Sequence, residues 1–192
     1  DTESENEIYR AFTADPARYF DITLGGGRVL WYDPSRDGHL IVDLGSGEEW
    51  LISAPEGRAV LSPDGKTLAV VPAPDGPPMG SPLLYEVESG DLIDRLTGMP
   101  GQVLGVFWSG NSSRVFTMGL GTLASWDVAS GEQTLNITDA QGVIGFGGVS
   151  EDGEFATAYL ADTDLLRVWN TGLAAVSPGV TKTVVAIGAP LE

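Results

Sequence analysis

A fourfold internal repeat constrains this chain more than any other feature. Segments 40–47, 83–90, 123–131 and 166–172 each carry an apolar run, one polar residue and a small-residue turn. The polar residues are Asp43, Glu86, Asp127 and Asn170, spaced by 43, 41 and 43 positions. A second marker keeps the same phase: Ser62-Pro63-Asp64-Gly65, Ser109-Gly110-Asn111-Ser112 and Ser150-Glu151-Asp152-Gly153. Each of these tetrads lies between two apolar runs, which is a hairpin signal because the turn needs a residue that tolerates positive φ. Two markers holding one spacing are hard to produce by chance.

Each repeat of about 42 residues reads as four strands. The second unit has them at 59–61, 66–72, 83–88 and 91–96; the third has them at 103–108, 114–118, 122–128 and 132–137. The fourth has 143–149, 154–160, 165–170 and, after a longer loop, 181–187. The first is the least regular, at 19–24, 28–32, 39–44 and 48–53. β-Branched and aromatic residues fill these runs, and Gly, Asp, Ser and Pro fill the gaps. Ahead of the repeats, 1–18 reads as an acidic arm with one short helix, capped at Asp15-Pro16.

Trp126-Asp127 followed by Ser130-Gly131, and Trp169-Asn170 one unit later, resemble the WD-repeat propeller. Ser62-Pro63-Asp64-Gly65-Lys66-Thr67-Leu68-Ala69 is similar to the first hairpin of a blade in that family, and equally to the propeller repeats of the periplasmic Tol system. The resemblance implies an all-β fold, a β-propeller with four four-stranded blades visible at about 19–55, 56–98, 99–139 and 140–190. The Gly-His pair that opens a WD repeat is missing from every unit, and the sole histidine, His39, lies elsewhere. The family's histidine-centred network therefore cannot form, and Asp127 and Asn170 must be satisfied by other groups. Propellers close with four to eight blades. Four units are thus either a small closed ring or part of a larger propeller, with a second copy or a partner chain completing it. The start at Asp1 and the close on Leu191-Glu192 read as a piece of a longer protein or a processed form.

Composition removes several functions. Ten Lys+Arg against 27 Asp+Glu give a net charge of −17, the opposite of the basic footprint that nucleic acid requires. No run reaches the 18 or so apolar residues of a membrane helix. One histidine and no cysteine exclude disulfides, thiol catalysis and multi-histidine metal clusters.

Individual motifs read as structure. Gly65-Lys66-Thr67 lacks the first glycine of a phosphate loop, since position 60 is Val60, and Gly25-Gly26-Gly27 fails the dinucleotide spacing at Leu30. His39 is the sole imidazole base, but no Gly-x-Ser-x-Gly elbow accompanies it. The acidic pairs Glu48-Glu49, Asp91/Asp94 and Asp162/Asp164 read as solvated turns. The five tryptophans read as packing between blades. Asn111 and Asn136 match glycosylation acceptors, which matter in a eukaryotic secretory context. No catalytic, cofactor-binding or metal-ligating residue is assigned. The proline-rich insertion at 74–82 is the expected contact loop, with Asp75, Pro77, Pro78 and Met79 as its candidate residues. The resulting expectation is a non-enzymatic scaffold for protein–protein interaction, with a basic partner favoured by the charge. The alternative is a sensory or regulatory domain of a larger signalling or hydrolytic enzyme.

Overall fold

The computed structural model of the chain describes residues 20–21, 27–72, 81–98, 103–160 and 165–171. These form thirteen strands and no helix. The expected N-terminal helix and the fourth-unit strand at 181–187 lie outside the described residues.

The first sheet is β1 (Phe20–Asp21), β2 (Arg28–Asp33), β3 (Gly38–Asp43) and β4 (Glu49–Ile52), antiparallel and in chain order. The second repeats this with β5 (Gly57–Leu61), β6 (Thr67–Pro72), β7 (Leu83–Glu86) and β8 (Leu92–Arg95). Next come β9 (Val103–Trp108), β10 (Arg114–Asp127) and β11 (Gln133–Val149), then β12 (Phe155–Leu160) and β13 (Leu165–Asn170).

The 14 residues of β10 would span about 46 Å if straight, at roughly 3.3 Å per residue. Yet the Val128 N–H, just beyond one end, donates to the Ser113 carbonyl, just before the other, at 3.0 Å. β10 therefore folds back on itself, at Leu120-Gly121, where Gly121 takes φ +66°. Its first arm pairs with β9 and its second with the early part of β11. The two strands expected at 114–118 and 122–128 are the arms of this hairpin. The later part of β11 pairs with β12, and β12 with β13. Four successive antiparallel sheets result, the third and fourth meeting along β11.

Side-chain alternation explains why the sheets stack. On β6, Leu68 and Val70 point toward the first sheet, where they meet Leu30, Ile41 and Ile52. Ala69 and Val71 point the other way, onto Val106, Trp108, Val115 and Trp126 of the third sheet. Because both faces are covered, β6 reads as an unbroken apolar run rather than an alternating one. The third and fourth sheets meet through Met118, Leu123, Ala156, Ala158 and Trp169. Leu68, Ile41, Leu84 and Leu123 are fully buried, and burial of each such side chain contributes about 2 kcal/mol. Tryptophans from four strands occupy or border these three seams, as expected from the sequence, and the fifth, Trp31, packs with Val29, Leu40 and Val42 on the first sheet's other face.

Candidate interaction surface

Within each sheet the first-to-second and third-to-fourth strand turns lie at the same end, because neighbouring strands run antiparallel. Both sequence markers therefore fall on one rim, and each builds its turn in a repeated way.

In the tetrad turns a serine hydroxyl donates to the acid or amide two residues later: Ser62 to Asp64 at 2.6 Å, Ser109 to Asn111 at 2.7 Å, Ser150 to Asp152 at 2.5 Å. The same hydroxyl accepts the N–H that opens the next strand, from Thr67, Arg114 and Phe155, at 2.9, 3.0 and 2.9 Å. The carboxylate or amide oxygen in turn accepts from Lys66, Ser113 and Glu154 N–H. The fourth turn position is left-handed in all three, with φ +74° at Gly65, +60° at Ser112 and +72° at Gly153. Glycine takes that conformation without a Cβ penalty, whereas Ser112 carries one.

In the other turns the repeated polar residue is the cap. Asp43 Oδ1 accepts the N–H groups of Gly45 and Ser46 and the Ser46 hydroxyl. Asp127 Oδ1 accepts the Ser130 N–H and hydroxyl, each at 2.9 Å. In the second unit Ser89 donates to the Glu86 carboxylate at 2.8 Å. The Asp127 carboxylate that looked orphaned without a histidine is thus satisfied by the serine three residues on. These donors lower the acids' pKa. Ser130 N–H holds Asp127 below the usual carboxylate value, Ser46 N–H does so for Asp43, and the Ser150 hydroxyl for Asp152. At Asp64 burial pushes upward, but the Ser62 hydroxyl and Lys66 N–H outweigh it.

Bonds along the rim tie sheet to sheet. Arg28 reaches from the first sheet to the Gly65 carbonyl at 2.5 Å, stacks over Trp50 with 4.3 Å to the ring centroid, and pairs with Asp43 at 3.5 Å. Asp64 N–H donates to the Ser112 hydroxyl at 3.0 Å, linking the second sheet to the third. Arg114 donates to the Thr171 carbonyl at 3.3 Å, linking third to fourth. Deeper in the stack, Trp108 Nε1–H donates to the Val60 carbonyl at 3.1 Å.

This turns the rim's two arginines inward while its acids face out. Glu48, Glu88, Asp91, Glu132, Glu151 and Glu154 are exposed, so every sheet contributes. Lys66 is the exposed cation among them. Contacts between successive sheets that join residues 37 to 48 apart have no local signature, so sequence reading missed the roles of Arg28 and Ser112.

The other sequence candidates fall elsewhere. Asp75, Pro77, Pro78 and Met79 lie outside the described residues. Asp162 and Asp164 also lie outside them. His39 is buried to 1% exposure, with Nε2 3.0 Å from the Pro55 carbonyl and its ring edge-on to Tyr32. Burial pushes its pKa down, partly opposed by the Pro55 bond. Tyr32 donates to Asp37 at 2.7 Å, and that bond, with burial, lifts its pKa to about 12. Among the described residues no three His, Asp or Glu side chains converge as a metal site.

Four successive antiparallel sheets packed face to face, joined last strand to next first strand, define a propeller-type β protein. Solved structures support that class: the structure of U3-55K, a WD40 β-propeller protein, superposes with a TM-score of 0.60 at 17% sequence identity. The match covers 79% of this chain and 47% of that one, so the chain spans about half the length of the propeller it resembles. No protein-family model matches the chain, and no curated protein sequence does.

Proposed function

We propose that this chain is a non-catalytic propeller-type scaffold that docks a protein partner with a basic surface on its acidic rim. The observation that supports this is the division of charge on the rim. Glu48, Glu88, Asp91, Glu132, Glu151 and Glu154 project outward, while Arg28 and Arg114 are drawn into bonds between sheets. Turns anchored on stacked sheets fix the backbone positions that carry those carboxylates, so a complementary surface meets charge at set places along the rim. Such fields steer encounter and are screened over about 8 Å at physiological salt.

The test is titration with a lysine- and arginine-rich peptide, followed by isothermal calorimetry at rising ionic strength. Affinity is expected to fall with salt, and to fall further in the charge-reversed pair Glu88→Lys and Glu132→Lys. Both side chains are exposed outside the turn caps, so the fold tolerates the change. Absence of binding at low salt, or binding indifferent to the reversal, refutes the assignment.

A further inference from the structure

Among the described residues, no strand covers the outer face of the fourth sheet, and its side chains are more exposed than their equivalents in the other sheets. The bonds Leu44 to Gly27, Val87 to Lys66, Val128 to Ser113 and Thr171 to Glu154 set the four units in register. In that register Tyr159 occupies the position of Tyr32, Val71 and Met118, which are 6%, 7% and 2% exposed, whereas Tyr159 is 37% exposed. Leu166 likewise matches His39 and Leu123, at 1% and 0%, yet is 44% exposed. Phe155, at 43%, stands where the first and third units carry the inter-sheet arginines Arg28 and Arg114. Val71, Met118 and Leu123 are covered by the sheet that follows each of them.

We propose that this face is a homodimer interface, packing against the same face of a second copy about a two-fold axis. Its residues on β12 and β13 are Phe155, Thr157, Tyr159, Leu166, Val168 and Asn170, all uncharged. In a chain of net charge −17, most surfaces of two copies repel, and this one can meet itself without opposing like charges. Head-to-tail growth would need the opposite face of the first sheet, but Trp31, Leu40 and Val42 there are 8%, 4% and 0% exposed within a single chain. Leu51, Leu92 and Ile93 are exposed as well, but they stand on β4 beside Glu49 and on β8 beside Asp91 and Asp94, so among the described residues the fourth sheet offers a second copy the apolar face that carries no charge. Three strands about 4.8 Å apart and about 20 Å long give a footprint below the roughly 800 Å² per partner of a standard stable interface, so the dimer dissociates on dilution.

The experiment is sedimentation velocity from low micromolar to several hundred micromolar chain, at low and high salt. Mass is expected to rise toward the dimer with concentration and to do so more readily in high salt, which screens the repulsion of the remaining surface. The double variant Tyr159→Glu/Leu166→Glu is expected to stay monomeric with an unchanged far-ultraviolet spectrum; Phe155→Ser, a milder change, serves if that variant does not fold. The chain has no cysteine, so Thr157→Cys supplies a single thiol at the centre of the face. Under oxidation it should lock the dimer faster than Glu132→Cys on the rim. A monomer at every concentration overturns the proposal, as does a dimer indifferent to the face variants. A dimer that Thr157→Cys fails to lock also overturns it, since that outcome belongs to another contact. Salt separates this surface from the acidic rim, because it strengthens the one association and weakens the other.

Discussion

Replacing Ser112 separates two effects that the structure superimposes at one residue. Its φ of +60° puts a side chain in the left-handed region, which costs an L-residue about 1–2 kcal/mol. Its hydroxyl meanwhile accepts the Asp64 N–H at 3.0 Å, a bond with a net contribution of about 1 kcal/mol. Ser112→Ala keeps the strain and loses the bond, so it should destabilise the chain by about 1 kcal/mol. Ser112→Gly loses the bond as well, but the relieved strain offsets it, leaving stability within about 0.5 kcal/mol of the parent. The glycine variant should therefore exceed the alanine variant by about 1 kcal/mol. Urea unfolding followed by tryptophan fluorescence reads all three midpoints, provided the slopes agree. Equal midpoints for alanine and glycine would show that the left-handed turn stores no strain. An alanine variant as stable as the parent would remove the bond between the second and third sheets from the argument.

Leu68→Ala empties a fully buried position between the first and second sheets and should cost about 2–5 kcal/mol in the same assay; a loss under about 1 kcal/mol would mean that the seam collapses around the cavity. Trp108→Phe strips the donor from the Val60 carbonyl and should cost about 1–2 kcal/mol, and an unchanged melting temperature would argue against that bond. His39 is held neutral by burial, so the unfolded chain takes up its proton more readily than the folded one. Its contribution is complete above about pH 6.5 and is lost as pH falls from there toward the depressed folded value. His39→Gln should flatten the pH dependence of stability just below about pH 6.5, and an identical slope in both proteins would assign that dependence elsewhere.

The repeat was legible because turn chemistry is local. Ser62, Asp64 and Thr67 sit within six residues, and the bonds they make are dictated by side-chain reach, so the pattern that marks the turn is also what builds it. Asp127 carried the same kind of information, although its partner turned out to be Ser130 rather than a distant group. The tetrads even aligned Ser112 with Gly65 and Gly153, where its left-handed φ could have been anticipated. What could not be read was everything set by the pairing of units: Arg28 on Gly65, Asp64 on Ser112, Trp108 on Val60. Those contacts join residues 37 to 48 apart, and they follow only once the sheets are stacked. The exposed fourth face was hidden for a similar reason. Phe155, Tyr159 and Leu166 look in sequence like any buried strand residues, and only their exposure in the folded chain distinguishes them.

The capped turns give the protein an even susceptibility to acid. Asp43, Asp64, Asp127 and Asp152 each have a pKa held below the ordinary carboxylate value, so each stabilises the fold above about pH 4 and releases its turn as pH falls through the lowered range. One such carboxylate sits in every sheet. Protonation below about pH 4 therefore removes a stabilising cap from every unit rather than from one end of the stack.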